Sequence, residues 1–245
     1  MPFSLFICDC DGVLVDSELL ACRVDAEELD RRGITDYPLE TVLERFAGVS
    51  QGDFISTVER ETGRPLGADF ATAVAARVEE LLRTELKPLP DARAVLASLA
   101  LSKCVASSSG SARLDLALTV TGLKDQFAPH IFSSALVEQG KPAPDLFLYA
   151  ARAFGAPAEC CCVIEDSVAG VRAARAAGMR VIGFTGGAHC GPSHAERLRE
   201  NGADATVERW TNVPSALERL ANSPSTGSSG RAPPWCETGG QPCSA

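Results

Sequence analysis

The sequence predicts an α/β fold, a parallel sheet with helices on its faces and a small all-α domain inserted after the first strand. Three observations predict it. Short β-rich apolar runs recur between helical stretches. Those runs are almost continuously hydrophobic, as strands buried on both faces must be. A long interval of helical patterning with no convincing strand separates the first run from the second.

In chain order, Leu5 to Cys8 reads as the first strand. Ser17 is placed to cap a helix that runs to about Arg32 and stops at Gly33, with Leu19, Leu20, Val24 and Leu29 as apolar positions. Leu39 to Phe46, Gly52 to Thr62 and Ala68 to Leu86 read as further helices, the last halted by Pro88 and Pro90. Further strands are expected at Lys103 to Ala106, His130 to Phe132, Cys161 to Ile164, Arg180 to Phe184 and Ala205 to Val207. The expected domains are an α/β core of residues 1–16 and 88–222 and a helical domain of residues 17–87. Residues 223–245, rich in Ser, Gly and Pro, carry too few apolar groups to offset the entropy of ordering and are expected to form a flexible tail.

The chain has 245 residues, 45% hydrophobic and 22% charged, which is ordinary globular composition and excludes wholesale disorder. A net charge of -9 sets nucleic acid or an anionic membrane against the overall field, so neither is expected as a partner. A small anion would have to be drawn in by local cations. The first apolar run, Phe3 to Cys8, is too short for a secretory signal or a spanning helix and meets Asp9 and Asp11 at once, which predicts a cytoplasmic protein. Of ten cysteines only Cys160, Cys161 and Cys162 cluster, and consecutive strand residues face opposite sides, so they read as small hydrophobes in a reducing compartment.

Asp9 and Asp11 stand two apart at the end of a strand, where side chains of the same parity share a side, and Gly12 lets the chain turn sharply away. In a parallel sheet that end is where ligands bind. Two close acids repel unless a cation or proton intervenes, and ligation by oxygen alone favours Mg²⁺. An EF-hand is excluded because Val13 occupies the next ligand position and Gly12 comes too early. On their own the two acids read equally as solvated loop residues. Ser107-Ser108-Ser109-Gly110 suits either a phosphate cradle or a helix cap. Lys141, held among Pro142 and Pro144, is either a fixed cation for an anion or a solvated charge. Glu165 and Asp166 again follow a strand, where the alternative role is compensation of a helix dipole. The small residues Gly170, Ala173, Ala174 and Ala177 then form a stripe for close packing on the sheet.

Taken in order, Asp9-Cys10-Asp11-Gly12, Ser107, Lys141 and Glu165-Asp166 resemble the four spaced motifs of the haloacid dehalogenase superfamily of phosphohydrolases, from residue 3 to about 208. The helical insertion looks like the α-helical cap of its phosphoglycolate phosphatase and β-phosphoglucomutase-like branch, on a Rossmann-like core. The resemblance implies Asp9 as nucleophile and Asp11 as general acid and base. It also implies Ser107, Ser108 and Lys141 around the phosphoryl group. Asp9, the Asp11 main-chain carbonyl, Asp166 and Glu165 would be placed about Mg²⁺, and a small phosphorylated metabolite would be the partner. Ser17, at the hinge, and Phe46, Gly48 and Gln51, in a segment similar to the family's specificity loop, become candidates for cap or substrate contacts, though a phenylalanine such as Phe46 is more often core than a reader of substrate.

Mutases of this branch carry a histidine, an arginine and a lysine where Ala21, Gln51 and Gly110 stand here, so hydrolysis is favoured over transfer to a sugar. Asp11 argues against dehalogenation, which needs no such acid. Both acids together argue against a binding protein without turnover. The resemblance runs to bacterial phosphatases acting on small phosphorylated sugars or sugar acids.

Overall fold

A computed structural model describes residues 3–47 and 49–223. Six strands form one sheet, β1 (Leu5–Cys8), β2 (Ser102–Ser107), β3 (Ile131–Ser133), β4 (Cys161–Glu165), β5 (Arg180–Phe184) and β6 (Ala205–Val207). Their order is β3-β2-β1-β4-β5-β6 and every pairing is parallel. In register, Ile7 lies between Cys104 and Val163. The chain builds outward from β1 to β3, then returns to β1's other side with β4. That reversal is the topological switch point, where the carboxyl ends of the strands leave a crevice.

Between β1 and β2 lie α1 (Ser17–Arg31), α2 (Leu39–Phe46), α3 (Gln51–Thr62), α4 (Phe70–Thr84) and α5 (Ala92–Ser98). The first four supply Leu20, Val24, Leu29, Val42, Phe54, Val58, Phe70, Val74 and Leu81 to an apolar cluster that runs on into one face of the sheet. Helix α4 ends at Thr84, short of the expected Leu86, because the chain there leaves to run beside the outgoing linker. Pro88 bridges Val15, and the Leu89 amide donates to the Leu14 carbonyl at 2.8 Å. The insertion is thus joined to the sheet by two strands of linker lying side by side.

The other helices are α6 (Ser111–Val120), α7 (Asp145–Ala153), α8 (Val168–Ala176), α9 (His194–Glu200) and α10 (Val213–Asn222). Strand alternation sends Phe6, Cys8 and Cys162 into the layer under α5, α6 and α10, and Leu5, Ile7 and Cys161 into the layer under α7, α8 and α9. Ala173 and Ala174 are fully buried there, so α8 lies close on the sheet, as its stripe of small residues requires. No helix among the described residues is long and apolar enough to cross a membrane. Of the expected tail, Ser223 accepts a hydrogen bond from Arg180 at 2.9 Å; residues 224–245 lie outside the described residues.

Candidate active site

Asp9 extends β1 by one residue, its amide donating to the Ile164 carbonyl at 3.0 Å. The chain then folds back in a tight loop in which the Gly12 amide meets the Val15 carbonyl at 2.8 Å, and the Trp210 indole donates to Val13 at 2.8 Å from beneath. Gly12 has φ +76°, and a Cβ there would stand 1.9 Å from Asp166 Oδ2. Glycine is therefore needed both for the turn and for the approach of Asp166. At the end of β4, Glu165 Oε1 accepts from the Ser167 amide at 3.0 Å and the Ser167 hydroxyl at 2.7 Å, while Ser167 caps α8 by accepting from the Gly170 amide at 2.9 Å.

Lys141 reaches this point from a loop 132 residues beyond Asp9. Its Nζ stands 2.6 Å from Asp9 Oδ1 and 2.7 Å from Glu165 Oε2, with only 3% of the side chain exposed. Burial works against its charge, but Asp9 and Glu165 hold the proton and carry the ammonium above its ordinary range. Burial and then the Glu165 charge push Asp9 well up, against the pull of Lys141. Burial likewise raises Asp166 to about 6, opposed by a hydrogen bond from His189. A buried cluster of three carboxylates with one lysine is an environment that favours a further cation. Asp9, Glu165 and Asp166 offer carboxylate oxygens within 4.8 Å of one another, a set that fits a hard divalent ion.

Asp11 is held apart from that cluster. Ser17 donates to its Oδ1, the Ser109 hydroxyl donates to Oδ2 at 2.6 Å, and Arg113 lies 3.8 Å away. Ser107 is buried and accepts from the Ser109 amide at 3.0 Å; Ser133 and Ser134 donate to the Ser109 and Ser108 carbonyls at 2.7 and 2.8 Å. The serine turn after β2 is therefore buttressed from β3. Asp9, Asp11, Ser107, Ser108, Lys141, Glu165 and Asp166 all line one cavity of about 580 Å³, which Ala47 of the helical insertion also borders.

The candidates in the insertion fare differently. Ser17 does not cap α1: Asp16 holds the cap position, and the Ser17 hydroxyl serves Asp11 instead. Phe46 does not line the catalytic cavity; it packs edge-on against Phe54 at 4.8 Å between ring centres and is buried in the insertion's own interior. Gln51 donates to Asp25 at 2.9 Å and borders a second cavity of about 620 Å³, along with Ala21. Gly48 lies outside the described residues. The catalytic cavity is also lined by Ser109, which the sequence groups with Ser107 and Ser108 in one stretch, and by Arg113, His189, His194 and Arg197, which sequence reasoning passed over. His189 sits in an irregular loop and His194 opens α9, so their spacing carries no signal.

The profile of haloacid dehalogenase-like hydrolases matches residues 3–178. The chain is 34% identical over 185 residues to the 6-phosphogluconate phosphatase of Escherichia coli strain K12, spanning 75% of this chain and 83% of that protein. A haloacid dehalogenase-like protein from Agrobacterium tumefaciens superposes with a TM-score of 0.83 at 42% identity, over 89% of this chain and 99% of the other. A family hydrolase from Deinococcus radiodurans, solved with phosphate and sodium bound, gives 0.81 at 30% identity over 90% and 97%. With this fold and these relatives, the chain belongs to the haloacid dehalogenase-like hydrolases and is a phosphoric monoester hydrolase of that family.

Proposed function

We propose that the protein is a Mg²⁺-dependent phosphatase that hydrolyses a small phosphorylated sugar or sugar acid through an aspartyl-phosphate on Asp9. The observation that carries this reading is the separation of two carboxylates facing one cavity. Asp9 is buried among Lys141, Glu165 and Asp166, whereas Asp11 is bound by two hydroxyls away from them. Burial pushes the Asp9 carboxyl up, so the cations beside it, Lys141 and a bound divalent ion, are what would keep it ionised as a nucleophile, while Asp11 is the acid placed to exchange a proton.

In the first step an Asp9 oxygen bonds to phosphorus as the ester P–O bond breaks, and Asp11 gives its proton to the leaving alkoxide. In the second, Asp11 as carboxylate takes a proton from water as the water oxygen bonds to phosphorus, and the P–O bond to Asp9 breaks to release phosphate. Ser17 and Ser109 hold Asp11 in one orientation for both transfers. Ser107, the Ser108 amide and Lys141 stabilise charge on the phosphoryl oxygens, since phosphoryl transfer is mostly positioning and electrostatics. Mg²⁺ on Asp9, Asp166 and Glu165, with the Asp11 carbonyl, would neutralise phosphoryl charge and keep Asp9 ionised. The sugar or sugar-acid class is supported by the bacterial relative's named substrate. A cavity of about 580 Å³ is roomy enough for a ligand of that size.

The test is phosphate release from a panel of phosphorylated metabolites with Mg²⁺, with and without EDTA. Asp9→Asn is expected to fall to the assay floor, Asp11→Asn to lose about 10²- to 10⁴-fold, and EDTA to abolish turnover. Undiminished Asp9→Asn activity rejects the covalent route. Glucose 1-phosphate with a bisphosphate activator should give little glucose 6-phosphate; efficient conversion would favour a mutase.

A further inference from the structure

The segment from the β5–α9 loop into the first turn of α9 takes no part in that chemistry, yet it brings two imidazoles onto one aspartate. His189 Nε2 lies 2.8 Å from Asp166 Oδ2, with 7% and 8% of the two side chains exposed. His194 Nε2 lies 2.6 Å from the Asp166 main-chain oxygen. A carbonyl oxygen only accepts, so His194 carries its proton on Nε2 and donates. The two rings are 5.7 Å apart and nearly perpendicular, so they approach Asp166 from different directions. The same His189 ring packs against the nucleophile loop, where a Cβ on Gly12 would meet its Cε1 at 2.8 Å. Asp166 is therefore clamped at side chain and main chain by one segment, with one carboxylate oxygen tied down and the other left for a cation.

His189, Cys190 and His194 also offer nitrogen and sulfur atoms within 4.8 Å of one another. Both imidazole Nε2 atoms already face Asp166, and that of His189 also lies 3.4 Å from Cys190 Sγ, so the pair is placed to support the acid.

We propose that His189 and His194 are positioning residues for Asp166 and set the protein's affinity for its divalent cation; this rests on the cation reading above. A donor that fixes a ligating group removes orientational freedom the ligand would otherwise lose on binding, and loss of such a partner typically weakens metal binding about 10- to 100-fold.

The experiment is Mn²⁺ binding, read by electron paramagnetic resonance of the free ion, on the whole chain without substrate, with circular dichroism melts as the fold control. His189→Leu and His189→Asn, the second polar but too short to reach Oδ2, should both weaken binding about 10- to 100-fold. His189→Gln, whose amide nitrogen sits near the Nε2 position, should restore most of it, and His194→Leu should show a loss that His194→Gln repairs. Wild-type affinity in His189→Asn, or a Gln variant as weak as Asn, overturns the positioning role while leaving the cation reading intact. A folded wild type that binds no Mn²⁺ overturns the cation reading itself, and the positioning role with it.

Discussion

Among the described residues, acids are buried at the carboxyl end of the sheet and inside the helical insertion, and their charge is met in different ways. At the carboxyl end of the sheet, Asp9, Glu165 and Asp166 converge, and their partners, the ammonium of Lys141 and the imidazole of His189, come from distant loops. Inside the helical insertion, Asp25 and Glu28 lie a turn apart on α1. Glu28 is answered locally by Arg31 at 2.6 Å and Arg32 at 2.8 Å, while Asp25 has the Gln51 amide at 2.9 Å as its hydrogen-bond donor. The first arrangement concentrates negative charge where the topology opens a crevice, which is useful only if a cation and an anionic ligand are to meet there. The second disperses it within a packing layer.

Lys141 is the sharpest way to break that contrast. Lys141→Met keeps an apolar stem but loses the ammonium that lies 4.9 Å over the Phe147 ring, and it leaves the buried Asp9 and Glu165 without their closest positive charge. Removing one partner of a buried pair costs about 3 to 5 kcal/mol. The loss of a donor to the phosphoryl group should also lower kcat by at least about 10²-fold. Urea unfolding with and without Mg²⁺ checks the first, and the cation is expected to narrow the stability gap because it answers the same carboxylates. An unchanged midpoint without Mg²⁺ would mean that the acids are protonated and the lysine is dispensable to the fold.

Phe46 tests the other side. Its ring meets Phe54 edge-on, tilts against Tyr37 at 6.1 Å and lies under the Arg45 guanidinium at 5.0 Å. Phe46→Ala should therefore destabilise by about 3 to 5 kcal/mol, as a core truncation does. The folded fraction should keep KM within a few-fold. A large rise in KM with intact stability would return Phe46 to the substrate.

What could be read from the sequence follows the same division. Strands β1, β5 and β6 have the expected ends; for β1 and for Val181 to Phe184 of β5 this is because a strand buried on both faces is written as an unbroken apolar run, whereas β6 is a half-exposed Ala-Thr-Val edge strand. Asp9, Glu165 and Asp166 stand out because strand ends in a parallel sheet are where polar residues collect, and they do share one cavity with Lys141. Phe46 lies in the insertion's interior, the core reading its sequence allowed, and Gln51 borders the second cavity; a resemblance to a loop marks the segment but not which of its side chains face the catalytic cavity. Ser17 was read as a cap because a serine before an apolar helix usually is one, and nothing local announces that Asp11 will take its hydroxyl. His189 lies 23 residues beyond Asp166 in a loop without period and His194 lies 28 beyond it at the start of α9, so their convergence is a product of the fold alone.

The smallest effect expected concerns Asp25. Burial, partly countered by Gln51, raises its carboxyl from 3.8 to about 6. A carboxyl whose pKa is higher folded than unfolded binds its proton more tightly in the folded chain. Its contribution is therefore full below about pH 4 and is lost as pH climbs through about 6, so at neutral pH it opposes folding. Asp25→Asn removes the charge and keeps a carbonyl for the Gln51 amide. The variant should match the parent near pH 4 and exceed it at pH 7 by at most about 3 kcal/mol, the equivalent of a shift of some two units. Urea midpoints at the two pH values check this. A variant no more stable at pH 7 would show that the single amide offsets the burial of the charge, and the insertion would then hold its acids as securely as the catalytic crevice does.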